Sequence, residues 1–392
     1  MVQHRSGTVP RATLGIDLGT THTVVAHNGK VLPVASGETQ PTLLPSVLAY
    51  PPTREELVGW EAKRRRLIDP RNTLMSTKRL IGSKSGSYRA RRFDEHHPYD
   101  VVDLDGVAAI KTRFGVVTPV DAATRFLRAA VAGAGCPTST RGVITVPAAF
   151  EEDERQATIA AGRAAGFKQS LLIEEPVATA IAYLSQSNVR YGVVYDLGGG
   201  TFDLALVDCS RYPFRVVAYA GDPYLGGDDV DRVLAQRVSE RVLREYRWDL
   251  ASEQTTFARL VASCEVAKVA LSSEERVVID LAEVDPAGPW TSQPFAIERH
   301  ELVGIVRDVV MRTFVIVDHV LSDAGVRARE VDAIFLAGGS TSLPGLREMV
   351  GKYFQKRARF DIDPMHVVAL GASLAAARPK LSGLLDANGF AA

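Results

Sequence analysis

The stretch Leu14-Gly15-Ile16-Asp17-Leu18-Gly19-Thr20-Thr21-His22-Thr23-Val24-Val25-Ala26 consists of an apolar strand, a tight glycine turn and a second strand. The stretch Val193-Val194-Tyr195-Asp196-Leu197-Gly198-Gly199-Gly200-Thr201-Phe202-Asp203-Leu204-Ala205-Leu206-Val207 has the same order of residue types. In both, an aspartate ends the first strand, glycine-rich backbone forms the turn, and an alternating strand follows. The two aspartates lie almost half a chain length apart. This internal repeat predicts a duplicated α/β architecture whose two facing lobes bring both turns into one cleft.

Length and composition indicate a globular protein with more than one folding unit. The 392 residues leave room for two or three domains, and an apolar content of 46% excludes a disordered chain. Lys plus Arg and Asp plus Glu each number 46, so the charge balance gives no reason to expect nucleic acid or a membrane as partner. Cys136, Cys209 and Cys264 match no metal spacing, and no secretory signal or membrane-helix pattern is visible. We therefore expect a cytoplasmic protein with reduced thiols.

Helix and strand signals occupy the chain between the two repeats. Helix signals, either a favourable start or a 3.6-residue periodicity, lie at 121–132 after Thr118-Pro119, and at 151–166, 232–247 and 298–324. Short apolar runs typical of buried strands lie at 142–146, 171–173 and 334–337. Such alternation of strands and helices is typical of an α/β fold.

The first repeat has the residue types that bind a polyphosphate. The small residues from Gly19 to Thr21 let backbone N–H groups approach phosphate oxygens, and the threonine hydroxyls add hydrogen bonds. Asp17 would repel phosphate, but it can hold Mg²⁺ through water, because Mg²⁺ normally keeps several waters. A single turn of this kind is more often a plain glycine-rich hairpin. Two copies at half-chain spacing favour the polyphosphate interpretation.

A third glycine element, Ala337-Gly338-Gly339-Ser340-Thr341-Ser342-Leu343-Pro344, follows an apolar strand and precedes a helix predicted to begin at Pro344. Glycine at such a turn allows the backbone to pass close to a ribose or a base. The element is weak evidence alone, and it gains weight because it follows the second repeat.

In this order the three elements resemble the nucleotide-binding domain of the DnaK-type 70-kDa heat-shock chaperones, within the actin and sugar-kinase superfamily. Further blocks are similar to family motifs and follow the family's order, at 77–82, 144–150, 155–158, 174–176, 180–183, 225–229 and 264–268. The resemblance covers about residues 12–377.

The resemblance implies an α/β, two-lobed actin-like ATPase fold, in which each lobe is built on a duplicated ribonuclease-H-like α/β unit plus a smaller outer subdomain. Residues 12–190 would form lobe I, with an outer subdomain at about 46–116, and residues 191–378 would form lobe II, with an outer subdomain at about 230–310. Residues 1–11 and 379–392 would be tails. Because the sequence ends at Ala392, we expect no peptide-binding domain in it.

The resemblance also implies which residues hydrolyse ATP. Lys78 matches the lysine that supports the γ-phosphate and the attacking water, where a fixed positive charge stabilises developing negative charge. Asp17, Glu175 and Asp196 match the residues that hold Mg²⁺, largely through water, and Thr201 matches a residue that positions the attacking water. These five residues form the predicted catalytic set.

A second set of residues is implied to contact the ATP or ADP itself. It comprises Gly19, Thr20, Thr21 and His22 of the first repeat, Gly198, Gly199 and Gly200 of the second, Gly226 and Gly227, Glu265, Lys268 and Ser272, then Gly338, Gly339, Ser340 and Ser342, and finally Asp363, which a helix N-cap explains equally well.

One position departs from the family at the adenine pocket, and the position facing it is aliphatic, as in some relatives. Family members commonly stack an arginine on the base where this chain has Ser342, and the facing position is the aliphatic Val269. The missing guanidinium removes stacking and cation–π stabilisation of about 1–2 kcal/mol, roughly tenfold in affinity. We therefore predict weaker or less base-selective nucleotide binding.

Three functions are compatible with this resemblance. The first is an ATPase switch whose state is read by a protein partner, such as a nucleotide-exchange factor or a J-domain-type co-chaperone. The second is a small-molecule kinase, which would need an aspartate base beside the lobe-connecting strand. Residues 146–149 provide none, and helix-dipole stabilisation explains Asp153 better. The third is an actin-like filament. The chaperone-type motifs favour the switch.

One segment of the chain is strongly basic. Between Lys63 and Arg92 there are eleven Lys or Arg residues and a single acid, Asp69, with Tyr88 as the only aromatic residue. Nucleic-acid binding would favour interleaved aromatic residues. We therefore predict a solvated basic face, with an acidic protein partner as the next alternative.

Overall fold

The computed structural model describes residues 13–53, 55–136, 141–184, 189–290 and 295–377, so both predicted tails lie outside the described residues. The strands are β1 (Thr13–Leu18), β2 (His22–His27), β3 (Lys30–Val31), β4 (Leu44–Pro45), β5 (Leu48–Ala49), β6 (Leu57–Val58), β7 (Thr73–Leu74), β8 (Asp100–Leu104), β9 (Val107–Thr112), β10 (Gly115–Val117), β11 (Arg141–Val146), β12 (Gln169–Glu174), β13 (Tyr191–Leu197), β14 (Phe202–Asp208), β15 (Arg215–Asp222), β16 (Arg276–Ile279), β17 (Phe295–Glu298) and β18 (Ala333–Ala337). The α-helices are α1 (Trp60–Lys63), α2 (Tyr88–His96), α3 (Pro119–Gly133), α4 (Glu152–Ala164), α5 (Glu175–Tyr183), α6 (Gly227–Tyr246), α7 (Gln254–Ala270), α8 (Leu281–Val284), α9 (Arg299–Asp323), α10 (Leu346–Phe354) and α11 (Val367–Ala376).

The two repeats form the centres of two sheets with the same topology. In the first sheet the order is β12-β11-β1-β2-β3, with β1 and β2 antiparallel and β1 parallel to β11. In the second sheet the order is β18-β13-β14-β15, with β13 and β14 antiparallel and β13 parallel to β18. Each sheet thus contains one hairpin, a further antiparallel strand beside it, and a parallel strand on its other side. The predicted duplicated α/β fold is confirmed.

The two hairpins have the same register but differ in one paired residue. Asp17 pairs with Val24 in the first hairpin, whereas Asp196 pairs with Asp203 in the second. Paired residues project from the same face of a sheet, so the second hairpin places two carboxylates side by side. The first hairpin has only one.

The two sheets are joined by α5 and α11, which pack against each other. A side chain on Gly371 would place its Cβ 1.7 Å from the carbonyl oxygen of Ala178, so the helices approach at a distance that only glycine allows. Gly15 of β1 has the same role, because a Cβ there would lie 2.1 Å from the backbone nitrogen of Ser373. A common apolar core, including Ile173, surrounds this crossing.

The predicted helices are present, with differences at their starts. Thr118 caps α3 as predicted, since its hydroxyl accepts from the Asp121 N–H at 3.0 Å. The helix predicted from residue 232 instead begins at Gly227, because the Asp229 carboxylate accepts the Gly226 N–H at 2.8 Å and extends the helix backwards. The prediction of a helix start at Pro344 is wrong by two residues.

Three small sheets and several helices lie outside the two main sheets. Strands β8, β9 and β10 form one, β5, β6 and β7 another, and β16 and β17 the third. The buried residues of α3 and α4 belong to the core of the first sheet, and those of α6, α7 and α9 to the core of the second. The predicted outer subdomains fall on these smaller sheets, and their boundaries stay a prediction.

Candidate active site

A cavity of about 1110 Å³ lies between the two hairpins. Its wall contains most of the residues predicted to bind or hydrolyse ATP, from both sheets and from α7: Asp17, Gly19, Thr20, Thr21, His22, Lys78, Glu175, Asp196, Gly198, Gly199, Thr201, Glu265, Lys268, Ser272, Gly338, Gly339, Ser340 and Ser342. The fold thus brings together residues spread over more than three hundred positions of the sequence.

Four predicted residues are not part of this wall. Gly226 and Gly227 lie behind the second turn, where the Gly227 N–H donates to the Gly198 carbonyl at 3.0 Å. Gly200 packs on the guanidinium of Arg79, and a Cβ there would lie 2.5 Å from it. The Asp363 side chain accepts the Met365 N–H at 2.9 Å in the turn before α11, but the N-cap of that helix is His366, so the N-cap alternative is wrong. The glycines shape the turn, while Asp363 shapes the start of α11.

A lysine, a glutamate and two aspartates form the charged centre of the cavity. Lys78 Nζ donates to Glu175 Oε1 at 2.8 Å, and both side chains are almost fully buried. Burial alone would lower the pKa of Lys78, but Glu175 and Asp17 raise it above its ordinary value, so the lysine stays charged. Burial and the nearby Glu175 raise the pKa of Asp17 to about 7, and they raise the pKa of Asp196 well above its ordinary value.

Asp203 is a fourth carboxylate of this centre, and the sequence analysis did not predict it. It lines the cavity, and burial followed by the charge of Glu175 raises its pKa to about 7, against a hydrogen bond with Thr201 that lowers it. The signal was present in the sequence, because Asp203 follows the second turn at the position where Val24 follows the first. Only the register of β13 with β14 shows that this residue lies beside Asp196.

The carboxylates suit a divalent cation that is held through water. Three of them have raised pKa values, chiefly because they are buried and then because Glu175 adds negative charge beside them. Within the described ranges no group of three His, Cys, Asp or Glu side chains converges closely enough to bind a metal directly. Mg²⁺, which keeps several of its waters, fits this arrangement.

Two residues of the first turn that line the cavity carry buried polar atoms without partners. The Thr21 hydroxyl and His22 Nε2 are buried and have no hydrogen-bond partner among the described residues. Burial and the neighbouring Lys63 lower the pKa of His22 to about 3, so its ring is neutral. Buried polar groups rarely remain unpaired, which indicates that a bound molecule supplies the partners.

Ion pairs connect the two halves across the cavity. Glu265 of α7 accepts from Lys63 Nζ at 2.8 Å and from the Arg66 guanidinium. Burial would raise the pKa of Glu265, but Arg66 and then Lys63 hold it well below its ordinary value. The interpretation of the basic segment as a solvated face is therefore correct for the exposed Lys84 and Arg91 and wrong for Arg66.

The far end of the cavity is built mainly from aliphatic and small side chains. Lys268 is held by Asp231 at 2.8 Å and by the Gly227 carbonyl at 3.0 Å. Val269 is 62% exposed, and the Ser342 hydroxyl lies 3.4 Å from a guanidinium nitrogen of Arg347. No arginine face borders the position expected for the base among the described residues that line the cavity there.

Two sheets of one topology that enclose a shared cleft, with a glycine turn and an aspartate from each, define the two-lobed actin-like ATPase class of fold. The family model described as Hsp70 protein matches residues 13–388, and the chain belongs to this family. The predicted family is therefore confirmed.

Two curated relatives support this assignment. The chain is 38% identical over 372 residues to a chaperone protein HscA homolog of Cupriavidus necator, and 38% identical over 373 residues to one of Cupriavidus taiwanensis. Each alignment covers 93% of this chain and 58% of the relative, so the chain spans somewhat more than half the length of these proteins. Separately, none of the helices in the described part of the chain is long and apolar enough to cross a membrane.

Proposed function

We propose that the chain binds ATP in the cleft, hydrolyses it slowly to ADP and phosphate, and uses the bound nucleotide to switch its conformation. The observation that carries the proposal is the buried Lys78, held by Glu175 between two glycine turns whose aspartates have raised pKa values. This arrangement is complementary to a polyphosphate with its bound cation. The phosphates bring negative charge to the lysine, and the cation brings positive charge to the carboxylates.

Each group in the cleft has a proposed task. The glycine turns give backbone N–H groups close access to the phosphate oxygens, with the Thr21 hydroxyl as an additional donor. Lys78 stabilises the negative charge that develops on the γ-phosphate. Thr201 and Asp203, hydrogen-bonded to each other, orient the attacking water. No protein nucleophile is needed, because phosphoryl transfer to water depends on placement and electrostatics.

Magnesium is the proposed metal. Asp17, Glu175 and Asp196 would hold it, largely through water, with Asp203 nearby. When bound, Mg²⁺ neutralises phosphate charge and lowers the repulsion between the triphosphate and these carboxylates.

At the far end of the cleft, we propose that Glu265, Lys268 and Ser272 face the ribose and base. Ser342 and Val269 leave the base without a guanidinium to stack on, so nucleotide binding is expected to be weaker or less selective for adenine.

The switch is proposed to serve a protein partner in the cytoplasm. The relatives' names contain the word chaperone, and a chaperone role for this chain is part of the proposal. A nucleotide-exchange factor or a J-domain-type co-chaperone is the expected kind of partner. The crossing of α5 and α11 supports this idea, because two helices packed through Gly371 can transmit a change in the angle between the sheets.

The test is ADP production by the purified chain with Mg-ATP, beside Lys78→Ala and the matched control Lys84→Ala. Lys84 lies in the same basic segment but is exposed and does not line the cavity. We expect slow turnover that Lys78→Ala abolishes and Lys84→Ala leaves unchanged. No ADP from the wild-type chain at saturating ATP would overturn the proposed hydrolysis.

A further inference from the structure

We propose that the phosphate end of the cleft leads to a second anion site, which binds inorganic phosphate on an exit route separate from the nucleotide. This inference rests on the proposed hydrolysis of ATP. The site is formed by the guanidinium groups of Arg79 and Arg89 beside the ring of Tyr224. Arg79 follows the catalytic Lys78 in the chain, Arg89 lies in α2, and Tyr224 lies between β15 and α6.

A continuous series of contacts leads from the second turn to the outside of the protein. Arg79 donates to the carbonyl of Gly200, and its guanidinium lies 4.9 Å from the ring centre of Tyr224. The Tyr224 hydroxyl donates to the Arg89 carbonyl at 3.3 Å. The Arg89 side chain lines the cavity and is 43% exposed, so the cavity reaches solvent at this residue.

Arg79 has an unused donor in this passage. Its side chain is only 5% exposed, it contacts Asp228 at 3.3 Å, and its Nε has no hydrogen-bond partner among the described residues. A buried guanidinium N–H is expected to find an acceptor, and beside a cavity that acceptor is either water or an anion. Phosphate offers several acceptor oxygens and matches the planar guanidinium well.

The surrounding charges suit a site that an anion occupies briefly. Arg89 pairs with the buried Glu154, and Arg79 is shared with Asp228. A third guanidinium, that of Arg92, lies 5.2 Å from the ring centre of Tyr224. Each arginine that the anion would touch is already partly neutralised, so the site attracts phosphate without holding it strongly.

A separate route matters because of where the product forms. Phosphate released beside Lys78 would have ADP between itself and the far end of the cleft, where Ser272 and Ser342 lie. The outlet at Arg89 avoids the nucleotide. Contacts between the two halves narrow it, among them the hydrogen bond from Tyr224 to the Arg89 carbonyl and the ion pair of Arg79 with Asp228, so a change in the angle between the sheets would widen it.

The first experiment is a single turnover of labelled ATP. Acid quenching measures the phosphate formed, a fluorescent phosphate sensor measures the phosphate released, and a fluorescent ADP analogue reports nucleotide release. Because Arg89 pairs with the buried Glu154, the variant is Arg89→Gln made together with Glu154→Gln, which removes both charges at once. Glu154→Gln alone and Arg91→Gln, from the exposed face of α2, are the controls.

In the wild-type chain we expect phosphate to leave while ADP is still bound. In the double variant the delay between formation and release should lengthen about tenfold, the factor that corresponds to one charge-assisted hydrogen bond. Both controls should keep the wild-type delay, and Tyr224→Phe should shorten it. Simultaneous release of phosphate and ADP from the wild-type chain would overturn the proposal, as would equal delays in the double variant and Arg91→Gln.

A second arm needs no hydrolysis. Labelled inorganic phosphate is bound to the Mg-ADP complex and then chased with unlabelled phosphate. If the label escapes before ADP, and escapes more slowly in the double variant, the exit site is supported. This holds even if the wild-type chain forms no ADP from ATP, because that failure would overturn only the proposed hydrolysis. Escape of the label only together with ADP, or no binding of phosphate to the complex, would overturn the exit site.

Discussion

The two ends of the cleft are built from opposite kinds of side chain. At the phosphate end, Asp17, Glu175, Asp196 and Asp203 gather around Lys78, and three of these carboxylates have raised pKa values. Charges removed from bulk water interact strongly, so this end distinguishes ligands by charge and geometry.

At the other end, Val266 and Val269 are 68% and 62% exposed, and few polar atoms are available to a base. The Ser272 hydroxyl already donates to the Lys268 carbonyl at 3.2 Å. An exposed aliphatic surface can attract a base by dispersion and by burial of apolar surface. Neither interaction depends on the pattern of hydrogen-bond donors and acceptors on the base. The difference teaches that the proposed nucleotide cleft would recognise the phosphates far more than the base.

Asp203→Asn should give the largest effect, because it removes a charge from the phosphate end while keeping the shape of the side chain. We expect turnover to fall about 100-fold or more, in the range found when one preorganised polar group is removed from an active site. ATP binding should not weaken, since one carboxylate fewer repels the triphosphate less. Single-turnover hydrolysis and an ATP titration measure the two effects separately.

Asp208→Asn is the control, because this aspartate ends the same strand and bonds Ser210 outside the cleft. Equal turnover in Asp203→Asn and the wild-type chain would show that the second hairpin's extra carboxylate has no chemical role.

The same substitution should change how stability depends on pH. The folded pKa of Asp203, about 7, lies above its unfolded value, so its contribution is fully present below about pH 4 and is lost as the pH rises through 7. Near pH 8 the wild-type chain carries an unfavourable buried charge that asparagine lacks. Without nucleotide, we expect Asp203→Asn to be more stable than wild type at pH 8 by on the order of 2 kcal/mol, and the difference to shrink towards pH 4.

Denaturant unfolding across this pH range, in chelator to remove Mg²⁺, measures the difference. A gap between the two proteins that is the same at pH 5 and pH 8 would contradict the raised pKa.

Glu265→Gln should loosen the link between the two halves. Both Lys63 and Arg66 depend on this carboxylate for their partner across the cleft. We expect ADP to dissociate roughly tenfold faster, the factor for about 1.4 kcal/mol of lost cross-cleft interaction. Stopped-flow release of a fluorescent ADP measures the rate. Arg276→Gln, which disturbs an exposed pair with Glu298 away from the cavity, should leave the rate unchanged. No acceleration in Glu265→Gln would contradict the proposed link across the cleft.

The smallest effect is expected at the base end. ATP and GTP should bind the wild-type chain with affinities within about tenfold of each other, because little there reads the edge of a base. Val269→Arg should tighten ATP binding by several-fold by restoring a guanidinium face, whereas Val278→Arg, at another exposed valine, should not. Competitive titrations at fixed salt measure both. Strict adenine preference in the wild-type chain would contradict the comparison between the ends.

Much of the site was predictable from residue order. Asp17 and Asp196 end their strands beside glycine turns as expected, and Lys78 and Glu175 meet at 2.8 Å although 97 positions separate them. The partners of Glu265 were not predictable, because nothing in the basic segment distinguishes Arg66 from the exposed Arg71. Asp203 needed the register of β13 with β14, since only that pairing places it beside Asp196.

The sequence by itself determined the two strand–turn–strand units, their aspartates, the glycines of the turns and the family. These are local properties, since the alternation of a strand and the chemistry of a turn are set by neighbouring residues. The tertiary structure alone decided the contact of Gly371 with Ala178, the pairing of Arg66 with Glu265, and the position of Tyr224 beside Arg79. Each of these contacts joins residues more than a hundred positions apart, so each depends on how the two sheets dock against one another through α5 and α11.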